Sequence, residues 1–292
     1  MAPQQQLQGT VMIMAAAFGF GLNPMFAKVL FAEGLSAEVT SLYRFVIPAL
    51  MFAAFLPIPR TLLPEAIRML AMGVANGAAV LCYFEALKDI PAATAILIYY
   101  TYPVFSVLIG WAAFRRPPTK NALIAVALVL IAALLSVRVE LMPADTLMTA
   151  LGCFLAPMVY GAQIHYLTAP IQAIPVQQRL AWCMQGHLIV LLPLTIAAAP
   201  SQVLPESGLG ISAMFGIAII AAALPQLLFQ LGVSRAGPEK ATIAGSFELV
   251  VAILTGAALW GEQLSWQEVI AIGLILIALC IRQSGGGKLT ET

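Results

Sequence analysis

Residues 95–132 read AILIYYTYPVFSVLIGWAAFRRPPTKNALIAVALVLIA, and residues 241–278 read ATIAGSFELVVAILTGAALWGEQLSWQEVIAIGLILIA. At a shift of 146 residues the two stretches align without a gap. Val104/Val250, Leu108/Leu254, Gly110/Gly256, Ala112/Ala258, Ile124/Ile270, Leu128/Leu274, Ile131/Ile277 and Ala132/Ala278 are identities. The loops differ in one respect. RRPPTK (115–120) is strongly basic, whereas its counterpart GEQLSW (261–266) has no cation and carries Glu262. Basic loops stay on the cytoplasmic side of a membrane, so the same element occurring with opposite charge means two copies placed upside down. A shift of 140 also sets Phe20–Gly21–Leu22–Asn23 on Tyr160–Gly161–Ala162–Gln163, a weaker match.

Composition agrees that the surrounding solvent is lipid. Of 292 residues, 61% are hydrophobic and 9% charged, against roughly 25% charged in a soluble domain. Breakers and charges divide the chain into ten predicted helices, 9–30, 38–57, 65–87, 92–114, 119–137, 147–168, 178–199, 209–233, 239–260 and 266–283. Each is close to the ~20 residues that cross a hydrocarbon core. With the N-terminus inside, ten Lys and Arg lie on the cytoplasmic side and only Lys28, Lys88 and Arg138 outside, leaving Arg44 within a helix. Both termini are therefore expected in the cytoplasm. The fold expected is an all-α integral membrane protein, ten transmembrane helices arranged as two inverted five-helix repeats (1–138 and 139–292) around a central cavity. Inverted repeats are the usual frame for alternating access, with substrate held near the midplane. The first apolar segment lacks a basic n-region and a cleavage site, so a retained helix is expected. Cys82, Cys153, Cys183 and Cys280 have no CxxC spacing and read as small buried apolar residues, neither disulfides nor metal ligands.

Polar side chains at membrane depth mark a path or a cavity. Tyr99, Tyr102, Ser106 and Gly110 recur at helical spacing on one face, and the repeat maps them onto Gly245, Glu248, Ala252 and Gly256. A tyrosine wall opposite a carboxylate follows, with Pro103 available as a kink. The plainer reading of the tyrosines is packing. Glu248 would bind a substrate ammonium, carry a coupling proton, or bond to a neighbouring helix. Asn23 and Gln163 occupy equivalent positions, and Pro24 frees a backbone carbonyl one turn earlier; polar glue between helices is the alternative. Tyr83, Tyr160, Trp182, His187 and Gln226 complete the substrate-binding candidates, with Pro225 beside Gln226 as a third hinge. His187 and His165 also read as satisfied structural histidines. Arg44 would attract a carboxylate; pairing with Glu38 or snorkelling to the interface is the simpler account. Gly73 and Gly77 read as a close-packing GxxxG, and Glu85 as interfacial.

YFEALKDIPAATAILIYYTYPVFSVLIGW resembles the third and fourth helices of the EamA type of the drug/metabolite transporter superfamily. EKATIAGSFELVVAILTGAALWGEQLS is similar to the ninth, including its terminal Gly-Glu, and LYRF at 42–45 to the start of the second. Many members carry Glu-Pro in helix 9; here Glu248–Leu249 and Tyr102–Pro103 each hold half of that pair. The resemblance implies a ten-helix secondary transporter. The excess of cavity aromatics over cavity charges looks most like the bacterial inner-membrane exporters of aromatic and other neutral amino acids. Exporters of drugs or other metabolites, and nucleotide-sugar carriers, are the alternatives, the last disfavoured because only Arg44 lies deep. No cofactor and no metal are expected. SGGGKLT (284–290) lacks Walker spacing, and no nucleophile–base pair or HExxH supports an enzyme. The expected partners are a small-molecule substrate and the lipid bilayer, with no nucleic acid and a monomer as default.

Overall fold

In lipid a single segment satisfies its own backbone only as a helix, and helix is what this chain forms. The computed structural model describes residues 3–89, 98–115, 117–136, 151–166, 174–195, 203–260 and 264–281. The elements are α1 (Pro3–Gly21), α2 (Asn23–Ala32), α3 (Ala37–Phe52), α4 (Leu63–Asp89), α5 (Tyr102–Ala112), α6 (Lys120–Ser136) and α7 (Leu155–Tyr166). They continue as α8 (Val176–Thr195), α9 (Gly208–Phe215), a π-helical stretch (Gly216–Ala223), α10 (Leu224–Ala236), α11 (Pro238–Gly245), α12 (Phe247–Trp260) and α13 (Trp266–Cys280). No strand occurs among the described residues. Parts of the predicted spans (92–97, 137, 147–150, 167–168, 196–199 and 282–283) lie outside them, as do Glu262, Arg138 and the side chain of Glu85.

Among the described residues, five helical runs are long and apolar enough to cross a membrane: Gln4–Ala32, Glu38–Phe55, Arg60–Tyr83, Gly208–Ala236 and Pro238–Leu259. Their outward faces, and those of the shorter helices, expose Leu50, Leu108, Trp111, Ile124, Ile189, Leu209, Leu254 and Ile277. Soluble monomers rarely expose contiguous apolar patches beyond a few hundred Å². The chain is a multi-pass membrane protein.

Four intervals predicted as continuous helices are broken among the described residues, the sixth at Phe154, whose N–H donates to Leu151 O at 3.2 Å. The first is interrupted at Leu22, where Leu22 N–H donates to Gly19 O at 3.2 Å and Met25 N–H to Leu22 O at 3.1 Å. The fourth is interrupted at Tyr100–Thr101 and restarts at Tyr102. The ninth is interrupted at Ser246, whose N–H turns to Ile243 O at 3.1 Å. Positions 100 and 246 are equivalents under the 146-residue shift. The breaks in the first, fourth and ninth have local causes. Pro24 and Pro103 lack an N–H and tolerate only the first turn of a helix, which is where both stand. The Ser246 hydroxyl donates back to Thr242 O at 3.2 Å, competing with the backbone ladder. Pro225 likewise stands in the first turn of α10, directly after the π-helical stretch. Gly237, at φ 88°, forms the turn between α10 and α11 in a conformation that costs an L side chain strain.

Packing depends on small residues. A Cβ at Gly73 would fall 1.9 Å from Cys183 O, and one at Gly186 would fall 2.2 Å from Leu70 O, so α4 and α8 touch backbone to backbone. Gly9 and Gly232 do the same for α1 and α10, each 2.7 Å from the other's carbonyl by the same measure. The remaining close pairs are α6 with α13, α5 with α7, α3 with α8 and the π stretch, α4 with α7, and α1 with α11 and α12. Cys82, Cys153, Cys183 and Cys280 are free thiols, though Cys280 is exposed and not buried as expected.

Candidate functional site

The broken helices surround a cavity of about 1180 Å³. Asn23 and Pro24 enter it from the start of α2, Arg44 and Phe45 from α3, Asn76 and Tyr83 from α4, and Tyr160 and Gln163 from α7. His187 (α8), Gln226 (α10) and Glu248 and Ala252 (α12) complete the wall, together with Tyr99 and Tyr100. The break at Ser246 is what places Glu248 in the first turn of α12, facing this space.

The tyrosines form one contiguous patch. Tyr99 lies 5.8 Å from Tyr160, 6.2 Å from Tyr83 and 5.9 Å from Tyr102, ring centre to ring centre. Edge and tilted arrangements at these spacings are favourable and leave ring surface toward the cavity. Two residues lining this region carry a buried amide oxygen without a hydrogen-bond partner: Asn23 Oδ1 and Gln163 Oε1. They come from the positions related by the 140-residue shift. A buried acceptor left without a donor is costly.

His187 is fully engaged. Its Nδ1–H donates to Cys183 O at 2.8 Å, leaving Nε2 to accept from Asn76 Nδ2 at 2.8 Å, and Phe45 stacks on the ring at 4.1 Å. Tyr102, Trp182, Pro103 and Pro225 do not line the cavity. The Tyr102 hydroxyl donates to Thr242 O at 3.2 Å beneath it. Trp182 Nε1–H donates to Leu56 O at 3.1 Å and packs near Met69 and Cys183. Pro225 fills the space that a side chain at Gly19 would need.

Below the cavity, at the end that carries the α10–α11 turn, three elements are closed over one another. His165 of α7 donates from Nε2 to Ser106 O at 2.7 Å. The Thr242 hydroxyl donates to Pro238 O at 2.8 Å, so the Ser106 hydroxyl donates to Thr242 Oγ1, also at 2.8 Å. The His165 ring sits so close to Gly110 that a Cβ there would fall 2.8 Å from its Cε1. This polar latch joins α5, α7 and α11. Sequence reasoning found the face Tyr102–Ser106–Gly110 but not its partners on the other half of the chain.

At the opposite end the cavity rises to exposed Lys28 and to Ser265, Gln267 and Glu268 at the start of α13. Glu268 is held by a capping box, accepting from Ser265 N–H at 2.7 Å. Nearby, Glu33 Oε2 accepts from the N–H groups of Glu206 and Ser207, both at 3.1 Å, and the Ser207 hydroxyl bonds Oε1. Those bonds from Ser207 hold the Glu33 carboxyl below the ordinary carboxylate range. Ser207 in turn caps α9 by accepting from Gly210 N–H at 2.9 Å. Arg44 and Asn76 were not among the sequence-predicted site residues; the signal available for Asn76 was an amide within an otherwise apolar helix.

Comparison with known proteins gives the family. The chain is 23% identical over 289 residues to the uncharacterized transporter YcbK of Bacillus subtilis (strain 168), covering 93% of this chain and 91% of that protein. A solved crystal structure of a protein only 15% identical superposes with a TM-score of 0.79, over 94% of this chain and 96% of the other, which speaks for the fold alone. The model of the EamA-like transporter family matches residues 7–138 and again residues 147–282, nearly the whole sequence. The chain belongs to the EamA-like transporter family, and its function is transport.

Proposed function

We propose that the protein exports amino acids, aromatic and other neutral ones, across the bacterial inner membrane by alternating access, as a ten-helix monomer with both termini in the cytoplasm. The observation that carries this reading is a central cavity with a tyrosine wall, the carboxylate of Glu248 and the amide side chains of Asn23 and Gln163. Aromatic faces suit a planar side chain. The carboxylate and amide oxygens suit an ammonium.

Two inverted five-helix halves are supported by three independent features. The family model matches twice along one chain. The helix breaks at 100 and 246 fall at equivalent positions. Helix pairs also exchange under the repeat: α3 with the π stretch corresponds to α8 with α4, and α1 with α10–α12 to α7 with α4 and α5. With the N-terminus inside, the latch lies on the cytoplasmic side and the cavity reaches the outside, an outward-facing state.

The test is uptake by proteoliposomes of labelled amino acids, with and without a pH gradient. Saturable, cross-competed uptake of tryptophan or phenylalanine is expected. Absence of uptake of every amino acid by inserted, folded protein would rule the reading out and redirect the search to drugs or other metabolites.

A further inference from the structure

Four ionisable side chains line the cavity at its wall or rim: Lys28, Arg44, Glu248 and Glu268. Glu268 is engaged by Ser265, and Lys28 already has a partner. Arg44 and Glu248 remain. No hydrogen bond or ion pair joins either to another described residue, although each lies within the electrostatic reach of the other. The guanidinium lies over the Phe45 ring, 5.8 Å from its centre. Arg44 stands midway along the 16-residue α3, too deep to belong to a loop. It is not the partner of Glu38 that the sequence suggested.

Two opposite charges left apart inside a membrane protein are costly, and both are present where a ligand would sit. A single anion or cation would satisfy one and leave the other. A zwitterion satisfies both at once. The two groups also divide by chemistry: a carboxylate only accepts hydrogen bonds, whereas the guanidinium only donates them. The fork of an arginine matches a carboxylate bidentately, which lysine does not.

Building on the amino-acid reading, we infer that Arg44 is the carboxylate-binding half of a dipolar subsite. Its ammonium-binding half is Glu248. The tyrosine wall then receives the side chain, and the cavity selects compounds bearing both charges over compounds bearing either one.

The experiment is equilibrium binding to the purified full chain of three ligands of equal bulk: L-phenylalanine, phenethylamine and 3-phenylpropionate. Phenylalanine is expected to bind about tenfold or more tightly than either single-charge analogue, the scale of a charged hydrogen-bonded contact. Arg44→Gln should weaken phenylalanine by that factor and leave phenethylamine unchanged. Glu248→Gln should do the converse, sparing phenylpropionate, and Arg44→Lys should restore part of the loss. Phenethylamine binding as tightly as phenylalanine to the wild type would overturn the inference, a comparison that needs no variant. So would an unchanged ranking in Arg44→Gln; in either case phenylalanine binding would leave the amino-acid reading standing. Failure of all three ligands to bind the wild type would overturn both.

Discussion

Residues that the 146- and 140-residue sequence shifts set in register stand at two ends of the bundle and are used differently. At one end Ser106, Gly110 and His165 are closed into a hydrogen-bonded latch with Thr242. Their repeat counterparts at the other end are Ala252, Gly256 and Met25, and all three line the open cavity. The same backbone frame therefore carries directional polar contacts on one side and apolar surface on the other. A polar latch closes in one geometry and loses its bonds when opened. Apolar surfaces close without specific partners and are driven only by area removed from water. The difference predicts a bundle whose conformational preference is set mainly by the latch, with the outer end following.

The comparison is broken most severely at Glu248, the counterpart of Tyr102. Glu248→Gln should reduce transport in proteoliposomes by about two orders of magnitude, with expression and monodispersity retained, since a single charged contact is worth roughly 1.5–3 kcal/mol and the substrate ammonium depends on it throughout the cycle. Wild-type transport from this variant would remove Glu248 from the account. Next comes the latch itself. Ser106→Ala leaves Thr242 Oγ1 short of a buried donor while His165 keeps its bond to the backbone oxygen of residue 106, a loss of about 1–2 kcal/mol, or roughly 5- to 30-fold in population. Spin labels on the ends of α5 and α11 should show longer distances in that variant, and unchanged distances would mean the latch does not hold the end shut.

A smaller effect is expected in the wall. Tyr99→Ala should lower the preference for aromatic over small neutral amino acids several-fold, in the range of one aromatic contact, read from competition in uptake. The mildest concerns the Glu33–Ser207 clasp at the open end. Because the Glu33 carboxyl is held below its ordinary value, the clasp contributes stability above the unfolded carboxylate value of about 4.3 and loses it as pH falls through the folded value. Glu33→Gln should therefore lower the melting temperature slightly at pH 7, and the gap to wild type should close in acid.

Much of this frame was legible before the structure. Hydrophobic run lengths located the helical intervals, and Gly73 marked close packing because only a missing Cβ allows a carbonyl at that distance. Pro24 and Pro103 announced breaks through their missing N–H. The break at Ser246 was not legible, because a serine bonding back to Thr242 is a choice between two backbone partners that composition does not fix. Of the site, Tyr99, Tyr160, Gln163 and Glu248 were read from their depth and repeat positions. Arg44 was misassigned to Glu38 because sequence proximity favoured that pair, while its orientation depends on packing against Phe45 across from His187. The latch joins residues separated by as many as 136 positions, and no periodicity within one helix specifies such a partner.

The most direct test of the central claim, that the latched end must open for transport, is a reversible cross-link across it. Ser106→Cys and Thr242→Cys, in a background without the four native cysteines, place two thiols where hydroxyl oxygens now lie 2.8 Å apart. Oxidation should abolish amino-acid transport while ligand binding from the open end persists, and reduction should restore transport. Transport continuing at the reduced rate with the cross-link fully formed would contradict the account.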